Sequence, residues 1–181
     1  MNLPNKLTIF RTILIPFFLV ALMVPEIPGG KWIAVGIFIV ASLTDFLDGK
    51  IARKYNLVTD FGKFMDPLAD KLLISTALIC FVGAGRIPAY MAVIIIAREF
   101  IVTGLRTIAA SKGVVIAAIM TGKVKTCIQI IASFCVMLFW SEKFEIMGYS
   151  IGYIAMFIST LFTIYSGWEY LARNKELLKD N

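Results

Sequence analysis

Residues 45–70 read DFLDGKIARKYNLVTDFGKFMDPLAD, placing Asp45, Asp48, Asp66 and Asp70 between two long apolar segments. An ionised carboxylate at membrane depth costs about 2.5–3.5 kcal/mol even on the lenient insertion scale. Four close together repel one another unless cations neutralise them. The stretch therefore predicts a metal-dependent site on a membrane protein. Asp45 and Asp48 are three residues apart and share a helix face, on which Ala52 also falls. Gly62, Asp66 and Asp70 recur every fourth residue, along one face of the next helix. A short connection makes the two helices antiparallel neighbours. The four carboxylates then converge a turn or two inside one membrane boundary. Gly49 and Gly62, with no side chains, let a bulky ligand approach the backbone.

The rest of the chain has the composition of a lipid-embedded protein. Of its 181 residues, 59% are hydrophobic, and the mean hydropathy is +0.84. Soluble domains hold about 45–50% apolar residues, so the excess places a single domain, residues 1–181, in the bilayer. The predicted fold is all-α and polytopic, with six membrane helices of about 20 residues each. They cover 7–25, 31–54, 61–83, 88–110, 119–140 and 146–171. A short N-terminal amphipathic helix, in LPNKLTIFR, precedes the first. Pro25, Pro28, Gly29 and Gly30 turn the chain after the first span. Gly83, Gly85 and Pro88 stop the third, and a polar connection at Asn56–Asp60 precedes it. Pro4, Asn5, Lys6 and Arg11 interrupt the start, so no cleavable signal peptide is expected.

Charge sets the expected orientation. Lys6, Arg11, Lys50, Arg53, Lys54, Lys63, Arg106, Lys112, Lys123, Lys125, Arg173, Lys175 and Lys179 fall on one side, against Lys31, Arg86 and Lys143 on the other. The first side is cytoplasmic by the positive-inside rule, with both termini and the aspartates on it. The net charge of +6 suits anionic lipid head groups. No base-stacking motif or basic tail supports nucleic acid. With no histidine, imidazole bases, His-based zinc sites and Ser-His triads are excluded. Cys80, Cys127 and Cys135 are too sparse for a thiolate cage and read as core or lipid-facing residues.

Carboxylate oxygens without imidazole or thiolate suit hard cations such as Mg²⁺ or Mn²⁺. Four acids can hold two such ions about 3.5–4 Å apart, an arrangement used for displacement at phosphorus. Magnesium commonly binds through substrate phosphates as well, so the substrate class is a phosphorylated lipid precursor. Ion pairing with Lys50, Arg53, Lys54, Lys63 or Lys71 accounts well for Asp60 but poorly for four acids aligned on two faces. A carboxylate-lined cation transporter is the other reading. It needs acids across the membrane, and the opposite halves offer only Glu26, Glu142 and Glu145 near their edges.

Asp45-x-x-Asp48-Gly49-x-x-Ala52-Arg53, eight residues, then Gly62-x-x-x-Asp66-x-x-x-Asp70 resembles the signature of the CDP-alcohol phosphotransferases, complete and at the usual spacing. NLPNKLTIFR at the start, AREFIVTGLR at 97–106 and TGKVKT at 121–126 resemble the bacterial branch that makes phosphatidylglycerophosphate. The resemblance covers essentially the whole chain. It implies transfer of the phosphatidyl group of CDP-diacylglycerol to sn-glycerol 3-phosphate, with release of CMP, in the bacterial cytoplasmic membrane. It further implies that Asp45, Asp48 and Asp66 bind metal and orient the pyrophosphate. Asp70 would be the base on the attacking hydroxyl and also touch the second metal. Gly49, Ala52, Arg53 and Gly62 would shape the CDP pocket, and the enzyme would be a homodimer.

An acceptor bearing phosphate calls for a cationic pocket. Arg98 and Arg106 lie two turns apart on the fourth helix, and Lys123 and Lys125 open the fifth. Arginine can hold a phosphate bidentately, lysine more as a point charge. Arg11 can reach the same chamber, and Glu99 is expected to hold one of these cations. Head-group snorkelling is the blander account of Lys123 and Lys125. Serine, inositol phosphate and phosphatidylglycerol remain alternative acceptors on the same chemistry. Trp32, Trp140 and Trp168 read as interfacial anchors.

Overall fold

This computed structural model describes residues 3–54, 60–114, 116, 119–140, 145–146 and 149–175. Within them, the side chains of residues 3–4, 45–54, 60–64, 66–67, 70 and 145–146 lie outside the description. The described chain is almost wholly helical: α1 (Leu3–Met23), α2 (Gly30–Lys54), α3 (Asp60–Gly83), α4 (Ala89–Ser111), α5 (Met120–Leu138) and α6 (Ile151–Arg173). The all-α expectation is met. The helix bounds differ from the sequence expectation mostly by a residue or two at each end.

Two differences are larger. The amphipathic lead is not a separate helix, because α1 runs unbroken from Leu3. Pro4 stands in its first turn, where a missing N–H costs nothing, so the lead and the first span join. At the other end, α6 begins at Ile151 rather than 146. Ser150 caps it, its hydroxyl accepting from the Tyr153 N–H at 3.1 Å. The residues before it form β1 (Glu145–Ile146) and β2 (Tyr149–Ser150), antiparallel, with Glu145 opposite Ser150.

The chain forms two compact units, 1–84 and 85–181. In the first, α1 packs against both α2 and α3, and α2 meets α3. Phe18 of α1 and Phe38 of α2, both buried, tilt together with ring centroids 6.0 Å apart. In the second, α6 packs against α4 and α5. Gly152 lies so close to α5 that a Cβ there would stand 2.6 Å from Val136 Cα. Small residues at helix crossings of this kind are typical of lipid-embedded bundles, where backbone approach replaces the hydrophobic drive.

Burial on α6 runs opposite to that of a soluble helix. Ser159, Thr160, Thr163 and Ser166 are buried while Leu161, Ile164, Tyr165 and Trp168 are exposed. On α1, Phe10, Ile13, Phe17 and Val20 are likewise exposed. Exposed apolar surface of this kind is what a membrane protein presents to lipid. Two of the inward hydroxyls serve their own backbone, Thr160 donating to Met156 O and Thr163 to Ser159 O, each at 2.8 Å.

Among the described residues, three helices are long and apolar enough to cross a membrane: Asn5–Met23, Met120–Leu138 and Ile151–Arg173. Gly30–Thr44 and Lys71–Gly83 are shorter apolar stretches. The remaining helix, α4, carries Arg98, Glu99 and Arg106 in its apolar text. Trp32 is exposed beside Lys31, whose ammonium sits 4.8 Å from the ring centroid. Trp140 stacks similarly against Arg86 at 5.1 Å. Both pairings suit anchors at a head-group boundary.

Candidate active site

The first unit carries the aspartates. Asp45 and Asp48 lie in the C-terminal half of α2, and Asp66 and Asp70 in the N-terminal half of α3. The two pairs thus occupy the ends of consecutive helices joined by residues 55–59. Both stretches are helical, as the three- and four-residue spacings require. Gly49, Ala52 and Arg53 fall in α2 and Gly62 in α3. The side chains of all four aspartates, Ala52 and Arg53, and the surroundings of Gly49 and Gly62, lie outside the described residues. So does the polar connection as far as Thr59. Among the described residues no acidic, Cys or His cluster could hold a metal. The donor set offered by the four aspartates is oxygen alone, which fits a hard divalent cation.

Arg11 belongs to this unit. It is 0% exposed on α1, on the face that also buries Asn5 and Thr8. Three buried polar side chains spaced by three along α1 are not explained by lipid contact, and burial removes snorkelling as an account of Arg11.

The second unit carries the remaining basic residues, and α4, α5 and α6 each contribute to one network. Glu99 of α4 pairs with two cations at once. Lys125 of α5, 3% exposed, donates to its Oε1. Arg98 Nη1 reaches the same oxygen at 3.3 Å. The expectation that Glu99 holds a cation is thereby met, and it holds two. Arg98 Nη2 also donates to Ser166 Oγ of α6 at 2.7 Å. Glu99 is thus shared by two cations, one from its own helix and one from α5. Burial of Lys125 also excludes the snorkelling account for that residue, whereas Lys123 is exposed in the first turn of α5.

Arg106 lies two turns further along α4. Its Nε donates to the Tyr170 hydroxyl of α6 at 3.0 Å, and its Cζ stands 5.6 Å from that ring's centroid. Arg106 is exposed and has no carboxylate partner among the described residues.

Sequence reasoning missed the α6 contributions. Ser166 and Tyr170 hold the two arginines, and Gly167 makes room, since a Cβ there would lie 3.1 Å from Arg98 Cγ. A signal was present. Ser159, Thr163, Ser166 and Tyr170 recur at spacings of four, three and four on an apolar helix. That is one buried face, and polar residues there require partners on neighbouring helices.

A family profile described as CDP-alcohol phosphatidyltransferase matches residues 1–165, a range that includes both aspartate-bearing helices. The chain belongs to that family. Enzymes of the family generally depend on a divalent metal ion. Curated relatives match along nearly the whole chain. A protein of Bacillus subtilis named CDP-diacylglycerol–glycerol-3-phosphate 3-phosphatidyltransferase is 47% identical, covering 98% of this chain and 97% of its own. Proteins of the same name are 40% identical in Rickettsia felis, covering 97% and 96%, and 39% identical in Haemophilus influenzae, covering 99% and 97%.

Proposed function

We propose that the protein transfers the phosphatidyl group of CDP-diacylglycerol to sn-glycerol 3-phosphate, giving phosphatidylglycerophosphate and CMP. The full aspartate signature on two successive helices carries this reading, and the shared name of the full-length relatives supports the acceptor. Arg98, Lys125 and Arg106 gather three cationic side chains on α4 and α5, which suits an acceptor that carries a phosphate better than serine.

In this mechanism the acceptor hydroxyl attacks the phosphatidyl phosphorus. A new O–P bond forms, the bond to the CMP oxygen breaks, and Asp70 takes the hydroxyl proton. Asp45, Asp48, Asp66 and Asp70 would hold two Mg²⁺ or Mn²⁺ ions, which supply charge neutralisation at the phosphoryl oxygens. Gly49, Ala52, Arg53 and Gly62 line the CDP pocket. Arg98, Arg106, Lys123, Lys125 and Arg11 serve the acceptor phosphate. The chain acts as one domain with six spans, both termini and the active site cytoplasmic, in the bacterial plasma membrane as a homodimer among its lipids.

Supplying purified protein with CDP-diacylglycerol and each alcohol tests the acceptor. CMP release is expected with glycerol 3-phosphate and not with serine, inositol phosphate or phosphatidylglycerol. No release with glycerol 3-phosphate overturns the reading. Chelation by EDTA is expected to stop release, and added Mg²⁺ or Mn²⁺ to restore it; turnover persisting after chelation removes the metal role. Arg106→Ala is expected to raise the KM for glycerol 3-phosphate more than that for CDP-diacylglycerol. Equal effects on both argue against contact with the acceptor phosphate.

A further inference from the structure

The two arginines of α4 are held differently by α6. A guanidinium presents either its Nε edge or its paired Nη end to an oxyanion. At Arg98 both Nη atoms are engaged, by Glu99 and Ser166, and the Nε is buried with no partner. At Arg106 the reverse holds: Nε is engaged by Tyr170, and neither Nη has a hydrogen-bond partner among the described residues. The Nη end of Arg106 is therefore left to meet an anion.

What fixes that end is the Tyr170 phenol. Its ring is 2% exposed, wedged against Val102 and Leu105, with Ile116, Ile119 and Leu171 around them. A ring so enclosed holds its hydroxyl in one place. The exposed Arg106 would otherwise sample many rotamers, at a cost in entropy on binding. We propose that Tyr170 is a positioning residue that presents the Nη end of Arg106 to the phosphate monoester of the acceptor. The anion's identity rests on the acceptor reading above; the positioning rests on the α4–α6 geometry. Tyr170 touches the arginine and not the reacting atoms, so it belongs to acceptor affinity rather than to the chemical step.

Tyr170→Phe tests this, because it keeps the packed ring and removes only the hydroxyl. Steady-state CMP release from wild type and Y170F gives both KM values and kcat. The expected result is a rise of about five- to tenfold in the KM for glycerol 3-phosphate, the size a charge-assisted hydrogen bond supports. The KM for CDP-diacylglycerol, kcat and the unfolding temperature are expected to stay near wild type. Tyr165→Phe, at an exposed tyrosine of the same helix, is expected to change none of them. An unchanged KM for glycerol 3-phosphate, or equal rises in both KM values, overturns the proposal. A second arm is independent of turnover: calorimetric titration of glycerol 3-phosphate and inorganic phosphate into both proteins. Weaker binding to Y170F of both ligands supports the positioning role. Equal binding, or none to wild type, overturns it. Should wild type bind phosphate esters but release no CMP with glycerol 3-phosphate, the acceptor reading fails and the binding arm still judges Tyr170.

Discussion

Asp70→Asn is expected to lower CMP release by about 10²–10⁴-fold, the range set by loss of a general base. Asparagine matches the shape of the carboxylate and can still hydrogen-bond the acceptor hydroxyl, but it cannot take the proton. Asp70 stands one turn beyond Asp66 on α3, next to the buried Ala69. Asp45, Asp48 and Asp66 would remain to hold the metal and orient the pyrophosphate, so CDP-diacylglycerol retention is expected to fall only in part. Parallel measurement of CMP release and of CDP-diacylglycerol binding checks this. Near-normal turnover refutes the base assignment, and complete loss of binding moves Asp70 to the metal set alone.

Gly152→Ala is expected to be the most damaging single-methyl change to stability in the second unit. The added Cβ would stand 2.6 Å from Val136 Cα and 3.2 Å from the Cys135 carbonyl oxygen. Both obstacles are backbone, so no side chain can rotate away and α5 and α6 must separate. Overpacking of this kind costs about 1–3 kcal/mol, occasionally more, and here it falls at the start of the α5–α6 contact. Gly36→Ala is the comparison, because a Cβ on that α2 glycine meets nothing within 4 Å. It is expected to be neutral or stabilising, by about 0.5–1 kcal/mol at most. Thermal unfolding of the detergent-solubilised variants measures both. A Gly152→Ala protein as stable as wild type would show that the close approach of α5 and α6 contributes little.

Much of this architecture could be read before any coordinates. Helix spans followed from apolar length, because in lipid the backbone must satisfy its own hydrogen bonds. The helical placement of Asp45 with Asp48, and of Asp66 with Asp70, followed from periodicity, a local property. The N-terminal lead LPNKLTIFR is instead the first turns of α1. Arg11 instead turns inward on a continuous α1 and is buried with Asn5 and Thr8. The start of α6 was placed too early because apolar residues precede Ser150, and a hydroxyl cap outweighs them.

The line of amino acids was sufficient for the family and for the two aspartate helices. It was sufficient because those features depend on spacing along one helix or on solvation by lipid. Which group holds each cation is a different kind of fact. Lys125 meets Glu99 across 26 residues, Arg106 meets Tyr170 across 64, and Arg98 meets Ser166 across 68. Hydrogen bonds act over about 3 Å, so such pairings exist only once α4, α5 and α6 have packed. That packing commits the Nη end of Arg98 to the protein and leaves that of Arg106 open, a division no spacing on α4 could reveal.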